Sequence, residues 1–423
     1  MNRILKTVTA VALLISMIMT MTGCSLGAKA DDLMEGVKKR ELHESVDRKT
    51  YAQGMTDFAV RLAVTCNEAD AGQNVLVSPL SVIMSLAMTA NGAEGETLGE
   101  MEKTIGFTAG ELNAYAHSYM KMLENLPEDS GSFELANSIW FPDDSRIDVS
   151  KDFLQINADH FDAEMYLSPF DDSTVQAVNA WVKEKTKEMI PEIISTVNEK
   201  TVMLLINALA FDCKWMTPYM DYDIGNRDFW VTPKKRRNVP FMYANEGVYL
   251  SDENAKGFIK YYKGAKFAFA ALLPDEGTDV NAYLESLSGE RLRSILDNAE
   301  QCKVDTAIPK FELEYKTELS DVMKKMGMKR AFDDEAAEFA GLGTAANGNV
   351  FIGSVLHKTY ICLDENGTKA SAVTVTTPEA NAAEPVEIKQ VYLERPFIYM
   401  IMDTETKTPF FIGVMNTPDP EHP

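Results

Sequence analysis

The chain has 423 residues, of which 45% are hydrophobic and 25% are charged, a composition typical of globular rather than disordered proteins. The formal net charge of −23 argues against nucleic-acid binding and against binding of other polyanions. The length alone allows one large domain or two to three ordinary ones.

The first 23 residues have the features of an export signal. Two cations precede an apolar run over residues 8–21, which is too short for a comfortable membrane span. Small residues followed by Cys24 resemble a bacterial lipoprotein signal, in which the cysteine is acylated; an ordinary secretory signal is the alternative. We therefore predict a signal over 1–23, lipidation at Cys24 and a polar tether over 24–49. The protein is then exported and either lipid-anchored to the outside of the cell membrane or secreted.

The hydrophobic spacing predicts helices and strands along the rest of the chain. Met55, Phe58 and Leu62 recur with helical spacing, and Ser78-Pro79 is typical of a helix start. The predicted helices cover residues 51–66, 78–92, 95–106, 111–126, 150–162, 173–190, 278–286, 289–298 and 317–327. The predicted strands cover residues 74–77, 133–141, 202–211, 239–250, 257–263, 266–273, 306–315, 351–364, 388–393, 397–403 and 409–415.

The order of these elements indicates the fold class. Helices cluster early and strands late without regular alternation, which favours an α+β fold with large mixed sheets. Residues 202–211 are nearly all apolar, as expected for a strand that is buried on both faces. No linker rich in proline, glycine or serine divides the chain, so we predict one domain over 50–418 and a tail over 419–423.

Catalytic and metal-binding patterns are missing from the sequence. There is no GxSxG motif, and none of the five histidines is flanked like a metal ligand or a triad base. Residues 341–346 formally fit GxGxxA, but they follow an acidic stretch rather than a buried strand, so we interpret them as a loop. The remaining cysteines are not in CxxC pairs, and three lie in apolar contexts, so we expect buried reduced thiols. We predict no catalytic residue, metal or cofactor, which leaves a hydrolase as the least favoured function.

The most informative segment runs from residue 365 to residue 377. Side chains alternate along a strand, so one face of this segment carries five small residues: Thr368, Ala370, Ala372, Thr374 and Thr376. Such a segment could slide between two existing strands without a clash on that face.

Several separated motifs resemble those of the serpin family, in the family's order. They are Asn74–Val82, Asn179–Val182, Asn207–Trp215, Leu273–Asp275, Ile308–Phe311, His357-Lys358, Glu365–Thr368, Arg395–Phe397 and Phe411–Pro418. The resemblance covers about residue 50 to the end. It implies the serpin fold, with three β-sheets, eight or nine helices and an exposed reactive loop at about 367–389. It also implies a bait rather than an enzyme: a protease cleaves the loop, which then inserts into the main sheet and traps the acyl-enzyme.

The resemblance assigns roles to individual residues. The hinge that starts insertion would comprise Glu365, Gly367, Thr368, Ala370, Ala372 and Thr374. The shutter, a polar patch beneath the centre of the sheet, would comprise Ser78, Ser81, Asn207 and His357. Trp215 matches the breach, where the loop first enters, although a plain core position is an equal alternative.

The position of the cleaved bond is less defined. Counting along the loop from its hinge places it at Asn381–Ala382, and counting back from the far end moves it toward Pro385. The candidates are therefore Ala380, Asn381, Ala382 and Ala383. Pro378 lacks a ladder donor and marks where smooth insertion is expected to end.

The small, uncharged bait indicates an elastase-like or subtilisin-like serine protease as the covalent partner. A non-inhibitory serpin that acts as protease substrate, carrier or chaperone is the alternative function. We expect a monomer that binds no nucleic acid and no metal and that meets the membrane only through Cys24.

Overall fold

A computed structural model describes residues 30–42, 46–126, 132–144, 146–198, 201–346, 349–368 and 388–419. These residues form nine α-helices, preceded at residue 48 by a short 3₁₀ turn. The helices are α1 (Ala52–Ala69), α2 (Pro79–Ala90), α3 (Gly95–Ile105), α4 (Ala109–Glu124), α5 (Lys151–Phe161), α6 (Asp172–Lys185), α7 (Val280–Ser286), α8 (Gly289–Asp297) and α9 (Ser320–Met326).

The described residues also form eighteen strands. They are β1 (Asp31–Asp32), β2 (Val75–Val77), β3 (Ser132–Pro142), β4 (Ile147–Val149), β5 (Glu164–Ser168), β6 (Leu204–Lys214), β7 (Ile224–Thr232), β8 (Lys235–Ser251), β9 (Ala255–Tyr261), β10 (Phe267–Pro274), β11 (Glu300–Pro309), β12 (Phe311–Glu318), β13 (Gly343–Ala345), β14 (Ser354–Leu363), β15 (Gly367–Thr368), β16 (Lys389–Tyr392), β17 (Phe397–Asp403) and β18 (Pro409–Met415).

The strands form three sheets, as expected. A seven-stranded sheet has the order β1-β5-β3-β6-β15-β14-β12, and β6 also pairs directly with β14. A nine-stranded sheet has the order β16-β11-β8-β9-β10-β17-β18-β2, with β7 against β8, and β13 pairs with β4. The α+β class, the three sheets and the number of helices predicted from the sequence are confirmed.

Helix α2 lies in the core between the two large sheets, where it contacts β3, β6 and β18. All twelve of its residues are buried, which its nearly unbroken apolar sequence permits. The Ser78 hydroxyl accepts a hydrogen bond from the Ser81 amide, and Pro79 occupies the first helical position, so the helix begins at a defined point. Helix α6 packs on the opposite face of the seven-stranded sheet through Val178, Trp181 and Val182.

One predicted strand is wrong. Residues 306–315 are not a single strand, because β11 ends at Pro309 and β12 begins at Phe311 in the other large sheet. Between them the Lys310 amide donates to the Pro240 carbonyl, at 2.9 Å. A continuous apolar pattern does not reveal such a change of sheet, because buried apolar residues occur on both sides of Lys310.

The described part of the predicted tether contacts the folded domain. Asp31 pairs with Leu167 as β1 extends the edge of the seven-stranded sheet. Arg40 forms an ion pair with Asp159 at 2.6 Å. The segment 30–42 therefore lies against the domain. At the other end Asp419, assigned to the tail, accepts a hydrogen bond from the Glu312 amide through its carbonyl. Cys24 lies outside the described residues.

The burial of the four described cysteines differs from one to another. Cys66 and Cys213 are buried as expected, whereas Cys302 and Cys362 are only partly buried. Burial raises the pKa of the Cys66 thiol to about 12, so this group is a poor nucleophile.

Within the described ranges, no helix combines the length and apolarity that a membrane crossing needs.

Candidate functional site

The site lies along the line where β6 meets β14 in the seven-stranded sheet. The two strands pair directly and in parallel over seven positions, from Leu204 opposite Ser354 to Ala210 opposite Tyr360. Beyond this stretch the strands part, and β15 lies between them. Gly367 is opposite Lys214 on β6. The sheet is therefore closed along most of the line and already occupied at one end by the first residues of the predicted loop.

Both residues of β15 are adapted to this narrow position. A Cβ atom on Gly367 would come within 2.1 Å of the Cys213 carbonyl oxygen, so the close approach of β6 requires glycine. Thr368 is fully buried, between Cys213 and Leu363. Its hydroxyl is 2.7 Å from the hydroxyl of Tyr262. The small threonine thus fills the space and satisfies its polar atom.

Residues 215–219, here called the dock segment, hold the chain that leads into β15. The Trp215 amide donates to the carbonyl of Asn366, and the Tyr219 amide donates to the carbonyl of Glu365, both at 2.9 Å. The Trp215 indole Nε1 donates to the Asp364 carbonyl, also at 2.9 Å. Three consecutive carbonyls at the start of the hinge, those of residues 364–366, are therefore bound by donors of the dock segment.

Trp215 is buried and takes part in the core as well as in the dock. Its ring stacks on Tyr262 at a centroid distance of 4.4 Å and an interplanar angle of 13°. Tyr262 is the residue that meets the Thr368 hydroxyl. One aromatic stack therefore supports both the backbone contacts of the hinge and its first buried side chain.

Charged groups flank the hinge. The Glu365 carboxylate forms an ion pair with the Lys310 ammonium. Partial burial acts to raise the pKa of Glu365, but the hydrogen bond and charge of Lys310 outweigh it, and the net pKa is lowered. Burial raises the pKa of the neighbouring Asp364, whose carboxylate accepts hydrogen bonds from the amides of Asn366 and Gly367 at 2.8 and 3.1 Å.

The predicted shutter residues meet beneath the closed part of the sheet. Asn207 on β6 lies opposite His357 on β14, and its Oδ1 accepts hydrogen bonds from His357 Nδ1 at 2.5 Å and from the Ser81 hydroxyl. The Asn207 amide nitrogen donates to the Ser81 carbonyl and to Asn137 Oδ1, the latter at 2.9 Å. The Ser78 amide donates to His357 Nε2 at 3.0 Å.

The contacts of His357 determine its protonation. Nε2 accepts from a backbone amide, so the proton of the neutral ring lies on Nδ1 and points at Asn207. Complete burial lowers the pKa of His357 to about 3. The ring is therefore neutral at physiological pH.

The arrangement limits how many shutter contacts are lost when the strands part. If β14 moves away from β6, one shutter contact between the strands must break, the bond from His357 to Asn207. Each strand retains a separate attachment to α2, since His357 is bound by the Ser78 amide and Asn207 by Ser81. The site can therefore open while most of its buried polar groups remain paired.

Other predicted residues have no structural account. The hinge residues Ala370, Ala372 and Thr374, the bond residues Asn381 and Ala382, and the alternatives Ala380 and Ala383 lie outside the described residues. Conversely, the sequence reasoning missed Asn137, Tyr262 and Lys310 as members of the site. Lys310 had a usable signal, because it is a single cation between two apolar strands.

Comparison with known families finds a match to the family described as Serpin (serine protease inhibitor), over residues 53–418. An uncharacterized serpin-like protein of Thermococcus kodakarensis is 31% identical over 354 residues, covering 82% of this chain and 81% of the relative. The leukocyte elastase inhibitor of Bos taurus is 28% identical over 380 residues, covering 86% of this chain and 98% of the relative.

Solved structures give the same result. The thermophilic serpin tengpin in its native state superposes with a TM-score of 0.87 at 40% identity, covering 92% of this chain and 100% of tengpin. The latent state of tengpin gives a TM-score of 0.77 at 38% identity, with 89% and 100% covered. The described fold therefore resembles the native state more closely than the latent one.

Proposed function

Because the chain belongs to the serpin family, we propose that it is a suicide-substrate inhibitor of an elastase-like or subtilisin-like serine endopeptidase. The protease cleaves the loop near Asn381–Ala382 and forms an acyl-enzyme. The loop then inserts between β6 and β14 before the acyl bond is hydrolysed.

The observation that carries this proposal is the position of β15. Gly367 and Thr368 already pair with β6, and Thr368 also pairs with Leu363 of β14, at the end of the line where these strands part. Insertion then needs no new entry point, because the following residues extend a strand that has begun. The alternating small residues from Thr368 to Thr376 suit the buried face of that strand.

The energetics support the same mechanism. Opening the sheet separates seven paired positions of β6 and β14, and the inserted strand pairs with both neighbours. If each inserted residue adds one ladder hydrogen bond at about 1 kcal/mol, the gain is on the order of 10 kcal/mol. That gain is comparable with the whole stability of an ordinary domain and is sufficient to deform a bound protease.

The bait sequence supports the choice of target. Ala380, Asn381, Ala382 and Ala383 are small and uncharged, which suits a shallow specificity pocket. No lysine or arginine lies between Lys369 and Lys389, so a trypsin-like enzyme lacks the cation that it requires. One of the relatives is a leukocyte elastase inhibitor, which favours a target of that class.

The test is to mix the protein with pancreatic elastase and with subtilisin and to separate the products by denaturing electrophoresis. We expect a covalent complex of serpin and protease, together with release of the peptide that follows the cleaved bond. Mass spectrometry of that peptide identifies the bond and should place it within residues 380–385. Trypsin serves as the matched control and should yield no complex.

The opposite result is equally clear. If each protease yields only cleaved chain and remains fully active, the inhibitory function is refuted. The chain would then be a non-inhibitory serpin that acts as substrate, carrier or chaperone.

We further propose that the protein is exported, held at the outer face of the cell membrane by acylated Cys24 and monomeric. The signal over residues 1–23 supports this location. A Cys24→Ala variant should appear in the soluble fraction, whereas the parent chain should sediment with membranes. Equal partition of the two chains would exclude the anchor.

A further inference from the structure

Lys260 is a buried lysine that the mechanism above does not use. It lies at the end of β9, and its side chain is only 3% exposed. Its ammonium donates to the Glu246 carboxylate on β8 at 2.7 Å and to the Thr217 carbonyl at 3.2 Å. Glu246 is itself 13% exposed, so both members of the pair are largely withdrawn from water.

Two aromatic rings complete the surroundings of the ammonium. Its nitrogen lies 4.3 Å from the ring centroid of Tyr219 and 5.2 Å from that of Trp215. Both distances fall within the range of cation–π attraction. Every group around Lys260 named here, apart from Glu246, belongs to the dock segment 215–219. The lysine therefore joins that segment to β8 and β9.

Stability alone is a weak reason for this arrangement. Withdrawing two charges from water carries a penalty that their mutual attraction often fails to exceed. Apolar side chains in place of both Lys260 and Glu246 would fill the same space without that penalty. The ammonium instead imposes a specific geometry, because the Thr217 carbonyl and the faces of two rings all contact the same nitrogen atom.

The dock segment carries the donors that hold the hinge. The Trp215 and Tyr219 amides bind the carbonyls of Asn366 and Glu365, and Trp215 stacks on the tyrosine that meets Thr368. We propose that Lys260 is a positioning residue for loop insertion. It holds the dock segment in the conformation that keeps β15 between β6 and β14. This inference rests on the proposed function, because its consequence is faster insertion relative to hydrolysis of the acyl-enzyme.

The test compares the full-length protein with a Lys260→Met variant. Loss of roughly one cation–ring contact predicts a rise of about fivefold in the ratio of hydrolysed to trapped acyl-enzyme, which is measured through the stoichiometry of inhibition of elastase. Amide hydrogen exchange over residues 215–219 should also become faster. Lys260→Arg keeps a cation over the rings and should restore most of both properties.

A matched control separates positioning from general destabilisation. Arg291 on α8 forms an ion pair with Asp252 at 2.7 Å and lies 5.4 Å from the ring of Tyr283, an arrangement of the same kind. Arg291→Met should leave the stoichiometry unchanged. If Arg291→Met raises it as much as Lys260→Met does, the positioning role is refuted. Should Lys260→Met fail to fold, Glu246→Gln is the second variant, and it should move both properties less and in the same direction.

The two proposals fail in different ways. If the parent protein forms no covalent complex, the inhibitory function fails, while hydrogen exchange still decides whether Lys260 orders the dock segment. If the parent traps elastase, and Lys260→Met and Glu246→Gln change neither exchange nor stoichiometry, the inference about Lys260 is overturned.

Discussion

The line between β6 and β14 is held in two different ways at its two regions. In the shutter, beneath the paired stretch, the contacts are made mainly by side chains of Asn207, His357 and Ser81. At the hinge, the main contacts run from donors of the dock segment to backbone carbonyls of residues 364–366. The shutter is also fully buried, whereas the ion pair of the hinge is partly exposed.

This difference indicates a division of labour. Side-chain amides, hydroxyls and imidazoles have several donors and acceptors, so the shutter can lose one interstrand bond and keep the others. A backbone amide has a single proton to donate, so the dock segment binds the hinge in one geometry. The shutter is therefore suited to opening and the hinge to guiding the loop. The predictions below test each half of this contrast.

The largest effect is expected from Thr368→Arg, at the first buried residue of the loop. Thr368 is fully buried, so a guanidinium there would be withdrawn from water, and an unpaired buried charge costs about 3–5 kcal/mol. At about 1.4 kcal/mol per tenfold change, the partition between trapping and hydrolysis should shift toward hydrolysis by at least about a hundredfold. Electrophoresis should show cleaved serpin and active protease.

The control for this change is Thr368→Ser, which keeps the hydroxyl that meets Tyr262. We expect this variant to trap elastase nearly as well as the parent chain. Normal trapping by Thr368→Arg would mean that the loop does not enter the sheet through this position, and the guiding role of the hinge would be lost.

The next effect is expected in the shutter, from Asn207→Ala. This change removes the acceptor of His357 and Ser81 and the donor to Asn137. Buried groups left unpaired cost about 1–3 kcal/mol each, so the free energy of unfolding should fall by about 4 kcal/mol. Urea unfolding measures this loss.

Asn137→Ala is the matched control, because Asn137 makes one side-chain contact with Asn207 in this network. It should lower the free energy of unfolding by about 1 kcal/mol. Equal losses for the two variants would show that Asn207 is not the centre of the shutter.

The sequence predicts many of the residues that form the shutter and the hinge. It does not predict which distant residues they contact. The start of α2 follows from Ser78-Pro79, and burial of β6 follows from its apolar run. The partner of Thr368, in contrast, is Tyr262, which lies 106 residues away and carries no local signal. Long-range side-chain pairs depend on sheet order, which a single sequence does not specify.

The boundary between β11 and β12 was missed for a related reason. Buried apolar residues occur on both sides of Lys310, so the apolar pattern continues through it although the chain passes from one sheet to the other. The ion pair of Lys310 with Glu365 exists because of that passage. The charge was visible in the sequence, whereas its partner followed only from the fold.

A smaller effect is expected from the pH dependence of the shutter. His357 has a pKa of about 3 when buried and an ordinary value of 6.5 when exposed. The unfolded chain therefore binds a proton that the native chain does not, and the stabilisation is complete above pH 6.5 and is lost progressively toward pH 3. Between pH 7.5 and pH 5.0 the free energy of unfolding should fall by about 2 kcal/mol from this residue.

Urea unfolding of the parent chain and of a His357→Gln variant at both pH values isolates that contribution. Glutamine does not titrate, so the variant should lose about 2 kcal/mol less than the parent over this interval. Parallel losses would show that the ring accepts a proton without leaving its site, and the shutter would not be sensitive to acid.

The smallest effect is expected at the hinge, from Glu365→Gln. The Lys310 and Glu365 side chains are 24% and 31% exposed, so solvent screens their attraction and the loss should be at most about 1 kcal/mol. The pKa of Glu365 is lowered in the folded chain, so its contribution is present above its ordinary value of 4.5 and is lost as the pH falls below it. The acid sensitivity of the hinge thus begins below pH 4.5, where that of the shutter is already well advanced. A double-mutant cycle of Glu365→Gln with Lys310→Met, measured by urea unfolding at pH 7.5 and pH 4.0, should give a coupling energy that shrinks at the lower pH. If the coupling energy is the same at both pH values, the contact between Lys310 and Glu365 does not depend on the charge of Glu365. The hinge and the shutter would then not differ in acid sensitivity in this way.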